Sequence, residues 1–471
     1  MKKALLCTAL LVVPLFHISA QDYRVRRIGP DNGKTTFAYG LNSSGAVAGA
    51  FPLGTDVVHA YLWSRRGGLQ DLGTLGGSSS VAFAINDAGD VAGYSLLAGN
   101  MTSHAFRYTS SGGMEDLGAL SGDPNVGTVA FAINASGQVL GIGQLVGNGP
   151  QHPVLWTSGK GLQDLGTLGG DLVVPLGPDN LGLALNDLGQ ATGSSFLSDH
   201  VTQHAFLWDP NTGLQDLGTL PGGTGSRALG INNNGEVVGE SFTNSSLTTG
   251  HAFRWTQAGG MQDLGTLGGV WSQAFLINSS GTIVGNSNLG GIGSPTHAFV
   301  WTPELGMQDL SLPGKHDCLA AGLSRMGEVL GACKTRFLWN SETGIRAVRL
   351  LLVPLVGGFN DAGQAISRTP AAVASPTMHV ALVSSQNPSN SGESVTFSAT
   401  ITSVQGPPPD GEIVQLRDGG KVLGTVALMN GVASLTTSAL KTGTHQLRAF
   451  YSGDSNYDSG MSPILTQTVL P

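Results

Sequence analysis

Six histidines in this chain each stand twelve residues before an aspartate, and an imidazole beside a carboxylate can pass a proton or help hold a metal. The pairs are His59 and Asp71, His104 and Asp116, His152 and Asp164, His204 and Asp216, His251 and Asp263, and His297 and Asp309. Each lies within a stretch like HAFLWDPNTGLQDLGTLPGG, His204 to Gly223, which reads as one short hairpin. A residue set needed six times is rarely an active site. If the hairpin folds symmetrically about its middle, histidine and aspartate come opposite each other on one face. A sheltered, charge-assisted hydrogen bond there would contribute about 1.5–3 kcal/mol. A seventh copy tests this from within, because Thr335 replaces the histidine and Ala347 the aspartate, so both partners vanish together. The pairs are therefore read as structural, with no metal and no cofactor expected.

That deviant copy also carries Cys318 and Cys333, the two cysteines left once a leader containing Cys7 is removed. In CLAAGLSRMGEVLGAC the four-residue turn Ser324 to Gly327 sets the two sulfurs across one hairpin. Other copies place unreactive residues there, as Ser80 and Ser95 show. In an oxidising compartment a disulfide is the expectation.

The elements that position these residues are four short runs, bounded by Gly, Asn or Ser, that recur mostly every 44 to 52 residues. One copy reads VAFAIN, DVAGYS, HAFRY and MEDLGAL, here strands A, B, C and D. Their alternation has period two, and no 3.6-residue period supports a helix. The A–B turn is Asn-x-x-Gly at Asn42, Asn86, Asn134, Asn186, Asn232, Asn278 and Asn360, with Ser324 replacing the asparagine in the seventh copy. Asn first and Gly fourth suit a type I turn, the amide capping the backbone. NDAGD, Asn86 to Asp90, is too thin in oxygen ligands for a calcium loop. GPDNGKT, Gly29 to Thr35, has three residues between its glycines where a phosphate-binding loop needs four.

Strand C occurs seven times, A and B eight times, and D eight times if YRVRRIG, Tyr23 to Gly29, is counted. A leading D with a trailing A and B is what a ring needs to join its ends, and closure removes the exposed edges of an open sheet. The expected fold is all-β: a β-propeller of seven or eight four-stranded blades, rather than a linear solenoid, followed by an Ig-like β-sandwich.

HAFxW, DLGTLGG and INxxGxVVG together resemble the HAF-type extracellular repeat of bacterial exported proteins, over roughly Tyr23 to Ser367. The resemblance implies export and a repeat architecture and brings no known reaction. SRTPAAVASPT, Ser367 to Thr377, reads as a linker. Beyond it, seven alternating runs suit an Ig-like sandwich without cysteines. AFYSGDSNYDSG and SSQNPSNSGESVTFSATI resemble bacterial Ig-like repeat domains of surface proteins. The expected division is a signal peptide at 1–20, the propeller at 21–367, a linker at 368–377 and the sandwich at 378–471.

Composition limits the partners. The net charge of −8 becomes −10 when Lys2 and Lys3 leave with the leader, which disfavours nucleic acid and anionic membranes. MKKALLCTALLVVPLFHISAQ has the basic, apolar and small-residue order of a secretory signal cut after Ala20. No later segment approaches the roughly 20 apolar residues of a membrane span. The protein is expected outside the cytoplasm, secreted or periplasmic, and as a monomer.

A meander places the A–B and C–D turns at one end and the B–C loops and D–A connectors at the other. The first end repeats, leaving little room for specificity, while the second varies and carries residues the repeat does not demand: Asp171, Asp179, Asp199, His200, Arg227, Trp271, His316 and Asp317. Trp271 is the candidate for stacking on a sugar or similar flat face, with carboxylates as polar anchors. The expected function is non-enzymatic binding of a carbohydrate, extracellular polymer or surface protein. The alternatives are a secreted glycosidase or lyase, which needs a pair of loop carboxylates, and a pure scaffold.

Overall fold

Period-two alternation bounded by turn residues dictates strands, and every regular element among the described residues is a strand. The computed structural model describes residues 23–28, 35–123, 125–145, 151–172, 182–311, 317–333, 336–342, 344–348, 365–367, 372–403, 406–454 and 456–471. The leader, the Gly29–Lys34 part of the glycine loop and the Asn360 turn lie outside them.

Among the described residues, seven antiparallel A-B-C-D meanders follow one another. The first comprises Phe37–Leu41, Val47–Pro52, Val58–Ser64 and Gly68–Asp71; the second, Gly76–Ile85, Val91–Leu97, Ser103–Thr109 and Gly113–Asp116. A single parallel pair, Val58 with Ser79, joins these two into one eight-stranded sheet. Later meanders keep the order, and in the fourth the first strand is split into Gly169–Leu172 and Leu183–Leu185, both paired with Ala191–Leu197. First strands of consecutive sheets touch along the series.

The VxG of strand B has a packing cause. A Cβ on Gly239 would lie 2.0 Å from Arg227 O and 2.9 Å from the Phe253 ring, so only glycine lets the C-strand phenylalanine cover the A–B pair. Such rings fill apolar layers between sheets, as where Ala48, Ala60 and Leu72 of the first meet Ala82, Val91 and Phe106 of the second.

Hydroxyls stitch four of the sheets to the next. Ala60 N–H donates to Ser80 Oγ at 2.8 Å, and that hydroxyl donates to Gly73 O at 2.6 Å. Thr128 and Ser272 repeat the arrangement. In the seventh sheet Cys318 and Cys333 hold the positions of Ser80 and Ser95 and form a disulfide with Cα atoms 4.1 Å apart.

The expected linker is in part a strand. Ala372–Pro376 pairs with Ala365–Ser367 on one side and with Tyr23–Arg27 on the other, a sheet made from both ends of the series. Its composition, rich in Ala, Ser and Pro, disguised it, since Pro376 ends the strand where a ladder donor is no longer needed. Only Thr377 and Met378 then separate it from His379–Ser384, the first strand of the C-terminal domain.

That domain packs a three-stranded sheet, His379–Ser384, Val395–Thr402 and Val432–Thr437, against a larger one containing Ile413–Asp418, Gly443–Tyr451 and Leu465–Leu470. Ile401, Phe397, Leu447, Ala449 and Tyr451 fill the space between them.

Candidate functional site

All six histidines meet their aspartates, with Nδ1 2.8–3.0 Å from the carboxylate oxygens. The pairing is not directly across the hairpin, however. Asp71 stands opposite Tyr61, Asp116 opposite Phe106 and Asp216 opposite Phe206, so the contact is diagonal. The asymmetry arises because each aspartate also caps its own chain. Asp71 Oδ1 accepts the Gly73 N–H at 2.8 Å, and its counterparts do the same in the other five sheets. In Asp-Leu-Gly the aspartate thus turns the chain, the leucine (Leu72, Leu117, Leu165) is buried, and Gly73 takes a φ of 74° that favours glycine. With these bonds made, the aspartates remain 36–48% exposed at the molecule's flank.

At the turn end of the axis the asparagines do more than cap. Oδ1 of Asn86 accepts the Asp90 N–H at 2.9 Å, as expected, while Nδ2 reaches the next sheet and donates to Asn134 O at 3.0 Å. The same link runs from Asn42 to Asn86, Asn134 to Asn186, Asn186 to Asn232 and Asn232 to Asn278 at 2.9–3.1 Å, and from Asn278 to Ser324 O at 3.4 Å. Arg325 of the seventh sheet crosses to Asp87 of the second at 2.6 Å, so the row of sheets curls round an axis. Burial pushes the Asp87 carboxyl up, but the Ser43 N–H and Arg325 outweigh it and hold it below the usual range. A cavity of about 300 Å³ opens there, with Leu41, Ile85, Ile133, Leu185 and Leu323 as apolar walls. Near-identical turns had suggested an end without room for specificity, because the turns do not reveal the space they enclose.

The loop end differs. In register along the A and B strands stand the pairs Phe37–Ala50, Val81–Tyr94, Val129–Ile142, Arg227–Glu240, Gln273–Asn286 and Leu319–Ala332. The fifth and sixth sheets are thus polar where the first three are apolar or aromatic. Glu240 is fully buried, and both its oxygens are engaged. Trp271 Nε1–H donates to Oε1 at 3.0 Å; Gln273 Nε2 and Arg227 Nη2 donate to Oε2 at 2.6 and 3.0 Å. The Arg227 guanidinium also lies 5.5 Å from the Phe242 ring centre, yet its side chain stays 39% exposed. In the first three sheets Phe37, Tyr39, Phe83 and Phe131 form a continuous aromatic row with centroid steps of 5.3–6.4 Å.

Of the residues singled out in the sequence, Trp271 and Arg227 converge on Glu240. Two of the other described residues, Asp199 and Asp317, bond elsewhere. Asp199 shapes its own loop: the Thr202 hydroxyl and the N–H groups of Val201 and Thr202 hold its carboxyl down to about 2. His200 beside it has a φ of 54°. Asp317 Oδ1 accepts the Thr296 N–H at 3.4 Å. Asp179, His316 and the Asp171 side chain lie outside the described residues. Sequence reading missed Glu240 and Gln273. Aligning copies on the turn asparagine would have found Glu240, since the column eight residues on reads Ala50, Tyr94, Ile142, Ser194, Glu240, Asn286 and, counted from Ser324, Ala332.

Residues 382–470 match the family model of the bacterial Ig-like domain (group 3), and the C-terminal domain is of that kind. No curated protein sequence matches the chain. The chain is similar to an extracellular domain assigned to a one-component system of B. thetaiotaomicron, at 11% identity and a TM-score of 0.29 over 94% of this chain and 87% of that one. It is also similar to a puromycin-hydrolyzing peptidase of Mycobacterium tuberculosis (10% identity, TM-score 0.38, 79% and 61% of the two chains). A gluconolactonase of Xanthomonas campestris gives 10% identity and a TM-score of 0.31 over 76% and 90%.

Proposed function

We propose that this chain is an exported, non-enzymatic binding protein of the HAF-repeat kind, its sheets closed into an eight-bladed propeller that takes a carbohydrate or extracellular polymer at the loop end. Seven meanders plus the sheet made from both chain ends would supply the eight blades. The observation that carries the ligand reading is the Arg227, Glu240, Trp271 and Gln273 network. Burying a carboxylate costs several kcal/mol before its partners offset it, and the other sheets do without one at this register. What the network achieves is orientation. One edge of the guanidinium is tied down while the rest stays exposed, and the indole is held by its N–H with its ring half-buried. An indole face and a fixed guanidinium suit a sugar ring and its hydroxyl or carboxylate groups. Both Glu240 oxygens are occupied by donors, which fits a positioning role rather than proton transfer in a glycosidase.

The test is retention and turnover of glycans and matrix polymers by the purified mature chain, whose mass should begin at Gln21. The combined variant Trp271→Ala and Arg227→Gln should weaken retention at least about tenfold, roughly 1.4 kcal/mol. Undiminished binding by that variant, or product release from any polymer by the wild type, would refute the reading.

A further inference from the structure

The C-terminal domain is joined to the repeat region by more than the chain. Arg65, on the C–D turn of the first sheet, forms an ion pair with Asp458 in which the side chains are only 20% and 12% exposed. Arg66 beside it acts on Glu412, whose carboxyl burial and Asp454 push up while the arginine's charge draws it down. On the seventh sheet, Glu328 lies close enough to Tyr457 to add to burial and Asp454 in holding that phenol above its ordinary range. The two arginines are peculiar to this turn; the same positions read Ser110 and Ser111 in the second sheet and Gln257 and Ala258 in the fifth. The junction is two residues long, with Val373 on its near side buried in the first sheet's core and Met378 in that of the Ig-like domain.

The Arg65–Asp458 ion pair on the first sheet and the nearby Glu328 on the seventh lie on either side of one weak place. The sheet formed by Ala365–Ser367, Ala372–Pro376 and Tyr23–Arg27 has strands of three and five residues and depends on both ends of the repeat region. Its pairing must overcome the entropy of bringing distant segments together. We infer that the Ig-like domain is a clasp over this seam: docked on the first sheet through Arg65 and Arg66 and beside the seventh at Glu328, it keeps the ends of the repeat region from separating. Complementary charge carries the docking, Arg65 paired with Asp458 and Arg66 drawing on Glu412. The clasp requires no ligand at the other end.

Hydrogen exchange of the full-length protein tests it. Arg65→Glu with Arg66→Glu should speed exchange in Tyr23–Arg27 and Ala372–Pro376 by about tenfold or more, leaving Val237–Phe242 in the fifth sheet unchanged. The charge swap Arg65→Asp with Asp458→Arg should restore protection relative to Arg65→Asp alone. Unaltered seam exchange in the double-glutamate variant would overturn the clasp, as would equal acceleration in every sheet or failure of the swap to restore protection.

Discussion

The two ends of the axis are built from the same strands and use their side chains differently. At the turn end each asparagine is consumed twice, by its own turn and by the next sheet's carbonyl, and the pattern repeats from Asn42 to Asn278. At the loop end the same register holds Val81 with Tyr94 in one sheet and Arg227 with Glu240 in another. Repetition marks what the architecture requires of every sheet. A buried acid that appears once marks a demand made by something else.

Substitutions can separate these two kinds of demand, and the largest effect is expected where the repeat itself fails. The seventh sheet replaces hydroxyl stitches by a disulfide spanning a sequence separation of 15, for which the chain-entropy model gives about 3 kcal/mol. Cys318→Ser with Cys333→Ser should lower unfolding free energy by about that much in chemical denaturation. A loss near zero would mean that serines serve as well here as in the other sheets, and two titratable thiols in the native protein would remove the bond altogether.

Next comes the turn end. Asn86→Ala removes a cap and the bond to the next sheet, leaving the Asn134 carbonyl with the Gly137 N–H alone, a combined cost of about 2 kcal/mol. It should leave polymer retention unchanged. Glu240→Gln should do the reverse, keeping most of the stability while weakening retention, because the amide oxygen still accepts from Trp271 and a turned Gln273 amide can accept from the new NH2 group, while Arg227 loses its carboxylate. Loss of retention in Asn86→Ala alone would erase the distinction between the ends.

The flank pairs should give the smallest changes. His204→Ala is expected to cost about 1 kcal/mol, less than a sheltered bond to a charged group, since Asp216 is 40% exposed. Binding of zinc by the wild type, lost in this variant, would contradict a structural role. At Asp309 burial pushes the carboxyl up, but hydrogen bonds from His297 and Ser311 prevail and hold it below its ordinary range. A carboxyl lowered in the folded state contributes its stability above the unfolded value and loses it as pH falls through the folded one. Acid unfolding below about pH 4 should therefore be slightly less steep in Asp309→Asn.

The strands, the turns and the cysteine hairpin were legible because each repeats or mirrors itself. Ser324 to Gly327 centres the Cys318–Cys333 hairpin by simple symmetry. The diagonal of the histidine pairs was not legible, because the aspartate's bond to Gly73 skews the hairpin, and counting residues cannot show that. The strand at Ala372–Pro376 was hidden by its composition and by a partner, Tyr23–Arg27, almost the full length of the repeat region away. Glu240 was hidden for a different reason: it sits in VVGESF like one more solvated charge, stands out only when the copies are aligned on the turn asparagine, and its burial against Trp271 and Gln273 shows only in three dimensions.

A structure of the mature protein with a polymer fragment that it retains would decide between the two ends most directly. The fragment is expected at the loop end, stacked on Trp271 and hydrogen-bonded to Arg227, with the Glu240 network intact. A fragment seated instead in the cavity of about 300 Å³ among Leu41, Ile85 and Arg325 would place recognition at the turn end and contradict the proposed site.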